Sequence, residues 1–352
     1  MKKLFLSNRH EKMEYHIVSK QVCSRIYKDG FSGFATLEGE NIRGACCNCK
    51  DKQCANYSAK ELSTNHFEGF PKNPTQRVCP VQAISFDATG RAEINNDTCI
   101  MCGLCIYRCP FAAIQYSIKH NKCHVNTVLD SSYTIANELE QKAQARALTS
   151  LPKIVRFNKI PASFNDRYLE NLKTAIKEFS DLSEIIVRNT LLNLDYICNT
   201  NVQGNVHFRI EFFADKNQKF IIGESEISKK AQDTLSVIRR ILDDVAVLVN
   251  RHGFPKNDIF PLAVLEVLPN KRADYYEVMS DVCNVLDIQI YTITYHILFI
   301  LHLLQIELSD EVISSLVVNK DNTSLLETMS SIIKDISIID ESVNTSYYMA
   351  TK

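Results

Sequence analysis

The spacing of apolar residues changes character along the chain. From residue 166 onward, helical periodicity marks Arg167 to Asn193, Lys229 to Arg251, Arg272 to Leu286 and Leu298 to Glu307. Strand-like runs lie between them. HFRIEFFAD and KFIIGESEIS flank a short polar Lys-Asn-Gln turn and read as a hairpin, whereas FPLAVLEVL and DIQIYTITY each follow a helix. From Lys219 the order is strand, helix, strand, helix, strand, helix. That alternation predicts a partly parallel sheet flanked by helices, an α/β domain over residues 166–337, with a polar tail at 338–352 expected to fray.

The front of the chain has shorter periods. FATLEGENIRG, in an extension at 1–45, reads as short strands and turns, and SFDATGRAEIN, further on, as two strands around an Ala-Thr-Gly turn. Residues 126–165, with Pro152, Pro161 and an Ala/Gln/Lys-rich run, read as a linker. The stretch Ile290 to Ile306 is about as long as the shortest membrane-spanning helix. Thr292, Thr294, His296, His302 and Gln305 interrupt it, so no membrane span is expected.

Composition sharpens this picture at one place. Eleven of the thirteen cysteines precede residue 125, in tight C-x2-C spacings and an odd total. That pattern argues against a secreted disulfide framework and for a metal-binding unit at 46–125 in a reducing, cytoplasmic setting. The start of the chain has no apolar run suited to a signal peptide. Residues 1–125 carry 17 Lys+Arg against 11 Asp+Glu, so the front is basic and the back acidic within a net charge of -1. Such asymmetry suits docking to an acidic partner or simply a solvated surface.

In CIMCGLCIYRCP, Cys99, Cys102, Cys105 and Cys109 stand in a C-x2-C-x2-C-x3-C-P run, and Gly103 suits a backbone of positive φ. Cys79-Pro80 opens a C-P-x-x-A-I phrase that recurs from Cys109 to Ile114, an internal duplication. A first cysteine group, GACCNCKDKQC, offers Cys46 or Cys47 with Cys49 and Cys54, and 24 residues separate it from Cys79. Its spacing leaves open a zinc knuckle or buried thiols. Cys23, Cys123, Cys198 and Cys283 have no partner spacing and read as core residues or thiols.

Residues 46–115 resemble the bacterial-type 2[4Fe-4S] ferredoxins. The resemblance implies an α+β ferredoxin-like module with two [4Fe-4S] clusters. Carried over by motif, Cys79, Cys99, Cys102 and Cys105 would hold one cluster and Cys46, Cys49, Cys54 and Cys109 the other. It further implies electron transfer to or from a partner redox protein. No G-x-G-x-x-G or P-loop motif gives the chain a nucleotide or flavin site of its own. An alternative is a nucleic-acid-processing or defence protein with structural or redox-sensing clusters. Glu224, Glu226 and Glu266 on strands would then hold a metal, although edge-strand or solvent-facing charges explain them as simply. Catalytic residues are not identifiable.

Overall fold

The computed structural model describes residues 35–38, 41–44, 46, 52–62, 75–109, 113–117, 122–125, 162–179, 181–201, 210–227, 231–329 and 350. Residues 126–161 of the expected linker, most of the tail, Cys23, Cys47, Cys49 and Phe111 lie outside them, and the linker's last residues, from Ala162, are helical.

Among the described residues, the front portion has three small antiparallel hairpins and one short helix. These are β1 (Ala35–Glu38) with β2 (Asn41–Gly44), β3 (Ile84–Phe86) with β4 (Ala92–Ile94), and β5 (Ile114–Ser117) with β6 (Lys122–Val125). The first two are the strand pairs expected from FATLEGENIRG and SFDATGRAEIN. Between β3 and β4, Asp87 ties the turn by accepting from the N–H groups of Thr89 and Arg91, and Gly90 takes φ 80°. Helix α1 (Leu104–Arg108) lies inside the cysteine run, so one turn of helix carries Cys105 and ends at Cys109.

The back portion is a five-stranded mixed sheet with helices. In chain order it comprises α2 (Ala162–Ile176), α3 (Leu182–Asn193), β7 (Ile197–Thr200), β8 (Phe212–Lys216), β9 (Lys219–Glu226), α4 (Ala231–His252), β10 (Ile259–Leu265), α5 (Tyr275–Leu286), β11 (Tyr291–Thr294), α6 (Tyr295–Leu304), α7 (Asp310–Ser314) and α8 (Leu325–Met329). Strand order is β11-β10-β9-β8-β7; β9, β10 and β11 run parallel, and β7, β8 and β9 antiparallel. The partly parallel sheet read from the alternation is therefore present. Among the described residues no helix is long and apolar enough to cross a membrane, and Ile290 to Ile306 divides into β11 and the fully buried α6.

Local chemistry explains these elements. Asn217 and Gln218 join β8 to β9 with φ of 56° and 66°, the two positive values of a tight hairpin turn. Strand β10 is a nearly continuous apolar run because it is covered on both faces. Its Pro261 faces Ile222 of β9, one position before β11 begins pairing at Leu262, so the missing N–H costs no β10–β11 bond. Helix α4 buries Thr234, Val237, Ile238, Ile241, Val245 and Leu248 at helical spacing against β9 and β10.

Three expectations need correction. The helical pattern from Arg167 to Asn193 is two helices, because the chain turns after Ile176 and restarts at Leu182. Strand β7 was not foreseen, since YICNT is too short to show a period. Glu224 and Glu266 are not solvent-facing edge charges: β9 and β10 are interior strands, and both side chains are buried. In the tail, Ala350 is buried and its N–H bonds the Thr323 carbonyl at 3.0 Å, so this residue packs against the domain.

Helix α3 joins the two portions. All but two of its residues are buried, including Arg188, Asn189, Thr190 and Asn193, so its polar side chains must find partners inside. Asn189 and Asn193 find them in the cysteine-rich front, while Arg188 Nε donates to Asn189 Oδ1 at 3.0 Å. Asn189 Nδ2 donates to the carbonyls of Arg77 and Val78 at 2.9 and 3.0 Å, and Asn193 Nδ2 donates to that of Leu104 at 3.0 Å. Tyr57 donates in return to the Asn189 carbonyl and Asn193 Oδ1. One continuous apolar core runs through both portions.

Candidate iron-sulfur site

Backbone conformation brings together cysteines that are far apart in sequence. After Cys79-Pro80, Gln82 takes φ 55° and turns the chain so that the Ala83 N–H donates to Cys79 Sγ at 3.1 Å. The Ala83 carbonyl then receives the Asn95 N–H at 2.8 Å, and the Asn95 carbonyl receives that of Cys99 at 3.0 Å. This relay carries the first Cys-Pro turn to the start of the cysteine run. Within the run, Met101 at φ 59° and Gly103 at φ 74° curl the backbone, and the Met101 N–H donates to Cys99 Sγ at 3.4 Å. Gly103 thus occupies the positive-φ position anticipated for it.

The result is a small pocket of about 20 Å³ lined by Cys79, Cys99, Cys102, Cys105 and Cys123 among Val81, Ile84, Ile94, Ile100 and Leu104. The sulfurs are close enough to act on one another. Burial raises the Cys102 and Cys105 thiols well above their usual range, and neighbouring cysteines add to it: Cys79 and Cys99 for Cys102, and Cys102, Cys99, Cys79 and Cys54 for Cys105. Cys79 is raised by burial, opposed by the Ala83 N–H, with Cys99 raising it further. Only Cys99 is lowered, chiefly by a hydrogen bond from Cys123, against its burial.

Four crowded thiols in an apolar pocket repel one another when ionised, and positive metal centres are what removes that repulsion. Among the described residues, no three His, Cys, Asp or Glu side chains are arranged to hold a single metal ion. Backbone N–H groups aimed at sulfur, as at Cys79 and Cys99, are the donors that stabilise ligating thiolates.

The other expected cysteines are partly in view. The Cys109 Sγ accepts from the Ala113 N–H at 3.4 Å, the same i to i+4 contact that Cys79 makes with Ala83, so the duplicated Cys-Pro phrase has a duplicated geometry. Cys46 Sγ accepts from the Ala92 N–H of β4 at 3.2 Å. Cys54 lies in segment 52–62, which is fastened to α1 next to Cys109: Arg108 Nε reaches the Gln53 carbonyl at 3.4 Å, pairs with Glu61 and covers the Tyr57 ring. Cys49 and Cys47 lie outside the described residues.

Residues 76–113 match the 4Fe-4S dicluster domain family. This stretch is a ferredoxin-type module. An uncharacterized ferredoxin of Methanocaldococcus jannaschii is 48% identical over 50 residues, which is 14% of this chain and 30% of that protein. The chain therefore spans less than a third of the relative it matches. No solved structure matches the chain. The module is of the iron-sulfur, 4Fe-4S-binding kind, and the α/β portion remains unrecognised.

Sequence reasoning passed over two features of the module. Cys123 lines the same pocket as the four motif cysteines, although no spacing links it to them. The 24 residues after Cys54 begin and end in an antiparallel bridge between Asn56 and Arg77, and Tyr57, inside them, reaches α3. Cys198 is a buried core residue as expected.

The strand carboxylates are engaged elsewhere. Arg240 of α4 bonds Glu224 and stands 3.7 Å from Glu226 and 3.9 Å from Glu211, while Lys173 pairs with Glu266 at 2.8 Å. Each buried carboxylate is thus held by a cation of the fold.

Proposed function

We propose that the module has a ferredoxin-like pseudo-two-fold arrangement and binds two [4Fe-4S] clusters, and that the chain passes single electrons to or from a partner redox protein. Cys79, Cys99, Cys102 and Cys105 hold one cluster; Cys46, Cys49, Cys54 and Cys109 hold the other. The clusters supply one-electron chemistry when bound. The observation that carries the reading is the meeting of Cys79 with Cys99, Cys102 and Cys105 in one buried apolar pocket.

The chain's own residues do three things for such a site. The N–H groups of Ala83, Met101 and Ala113 donate to Cys79, Cys99 and Cys109 and moderate the charge of ligating sulfur. Ile84, Ile94, Ile100 and Leu104 exclude water around the first pocket. Helix α1 joins the two sets, with Cys105 at its start and Cys109 at its end. The contact of Cys46 with Ala92 supports Cys46 over Cys47 as the ligand.

The test is iron and sulfide content on anaerobically purified full chain, with anaerobic reduction followed by absorbance. About eight iron and eight sulfide per chain, bleaching on reduction and electron delivery to an acceptor are expected. Zinc without iron, or clusters inert to every accessible reductant, would overturn the reading.

A further inference from the structure

Phe86, at the end of β3, is 36% exposed, and Lys52 Nζ lies 4.6 Å from the centre of its ring while donating to the Gly90 carbonyl of the same hairpin. One exposed aromatic ring means little by itself. Its position gives it meaning. Phe86 pairs with Ala92 across the hairpin, and the Ala92 N–H donates to Cys46 Sγ at 3.2 Å. The Phe86 backbone therefore stands one strand spacing, about 5 Å, from the peptide that touches this sulfur. Lys52 is two residues before Cys54, and its carbonyl receives the Ala55 N–H at 2.8 Å in the turn that carries Cys54. The first ligand set is backed by the α/β portion instead: Asn171 donates to the Cys99 carbonyl at 3.4 Å and Asn193 to that of Leu104 at 3.0 Å.

We propose that electrons cross the protein surface on the Cys46 side, through a docking surface centred on Phe86 and Lys52 that receives an acidic redox protein whose apolar patch is ringed by carboxylates. The occupant follows from charge. Residues 1–125 carry 17 Lys+Arg against 11 Asp+Glu, and the cation at the centre of the surface is Lys52. The hairpin's own acids do not cancel it. Asp87 accepts from the N–H groups of Thr89 and Arg91 inside the turn, and Glu93 pairs with Ser85, whose side chain alternates to the face opposite Phe86. The face that carries Phe86 also carries Ile84 and Ile94, which wall the first pocket, so one side of the hairpin runs from the first ligand set to the second. An aromatic ring gives a contact that can be desolvated, and a neighbouring cation steers an acidic partner onto it.

This surface rests on the electron-transfer reading and the second ligand set above, and the experiment keeps them apart. Full chain is reduced anaerobically and mixed with oxidised plastocyanin, a small acidic copper protein, or with oxidised cytochrome c, a small basic haem protein. In each case one electron passes from a reduced cluster to the acceptor's metal. For the wild type, the rate with plastocyanin is expected to fall as salt rises. Lys52→Glu and Phe86→Ser are expected to keep wild-type iron and to slow the plastocyanin reaction at least about fivefold, while Lys52→Glu does not slow that with cytochrome c. Lys256→Glu, in the α/β portion, is expected to leave both rates unchanged. Wild-type plastocyanin rates in Lys52→Glu and Phe86→Ser protein that keeps its iron overturn the proposal and leave the electron-transfer reading standing. Equal slowing by Lys256→Glu does the same. Should both surface variants lose iron, the wild type decides alone: a plastocyanin rate that is flat or rises with salt refutes the proposal. Reduced wild-type protein that passes electrons to neither acceptor sinks the electron-transfer reading together with this surface.

Discussion

At the scale of single residues, two side chains separate cluster binding from folding. Cys102 is half-buried, and its sulfur stands among those of Cys79 and Cys99. Cys102→Ala removes one of the four proposed ligands, so iron content is expected to fall by about half while the second set is kept. Cys198→Ala, in the core of β7 away from the pocket, is expected to leave iron unchanged; equal loss in both would contradict the ligand assignment. Asn193 works differently. Its amide spans three partners, donating to the Leu104 carbonyl at 3.0 Å, accepting from Tyr57 at 2.9 Å and meeting His302 Nε2 at 3.0 Å. Asn193→Ala removes a partner from the Leu104 carbonyl and from His302, while Tyr57 keeps the Asn189 carbonyl, for a cost of about 2–4 kcal/mol. A lowered thermal midpoint with iron still bound at low temperature is the expected observation.

At the scale of elements, the sheet is held by close approach at its centre. A Cβ on Gly223 of β9 would collide with the Leu262 carbonyl of β10 and the ring of Phe212 on β8. Gly223→Ala must force the central strands apart, and loss of soluble protein or a destabilisation above about 3 kcal/mol is expected by chemical denaturation. Where β9, α4 and α3 meet, buried acids give the fold a pH signature. Burial, then Glu211 and Asp181, pushes Glu184 up to about 8; burial raises Asp244 to about 7, with Glu211 and Asp243 adding to it, and burial followed by Glu211 raises Glu224 as well. A carboxyl raised on folding keeps a proton that the unfolded chain has released. Its stabilisation is therefore full below the ordinary carboxylate range near 4 and is lost as pH rises through about 7 to 8, by at most about 1.4 kcal/mol per pH unit per group. Glu184→Gln is expected to flatten the fall in stability between pH 5.5 and 8.5, and an unchanged slope would count against it. These acids also show where sequence reading stops. The parallel order of β9, β10 and β11 was legible because helices visibly separate three apolar runs. Cys79 was legible as a partner of the Cys99 run because its Cys-Pro phrase repeats. Burial of Glu224, the break between α2 and α3, and the approach of Cys123 depend on contacts between elements far apart in the chain, for which local spacing has no sign.

At the scale of the molecule, the ferredoxin-type module and the α/β portion share their polar contacts as well as a core. Asn189 satisfies the carbonyls just before Cys79, Asn193 that of Leu104, Asn171 that of Cys99 at 3.4 Å, and Asn199 that of Leu62 at 2.9 Å. Tyr107, between Cys105 and Cys109, bonds the Leu303 carbonyl of α6 and packs edge-on against His302. Each backbone segment that carries a motif cysteine from Cys79 to Cys109 is thereby buttressed by a side chain or carbonyl of the other portion. Cutting the chain at residue 125 would leave those carbonyls to water and expose the apolar surface under α3, so local opening around the cysteines becomes easier. If the lost contacts lower the opening free energy by only about 1.4 kcal/mol, iron leaves about tenfold faster. A fragment of residues 1–125 is accordingly expected to yield iron to a soluble chelator at least about tenfold faster than the full chain, read as loss of cluster absorbance under anaerobic conditions. Equal rates would mean that the module holds its clusters unaided and that the contacts from α3 serve only the packing of the α/β portion.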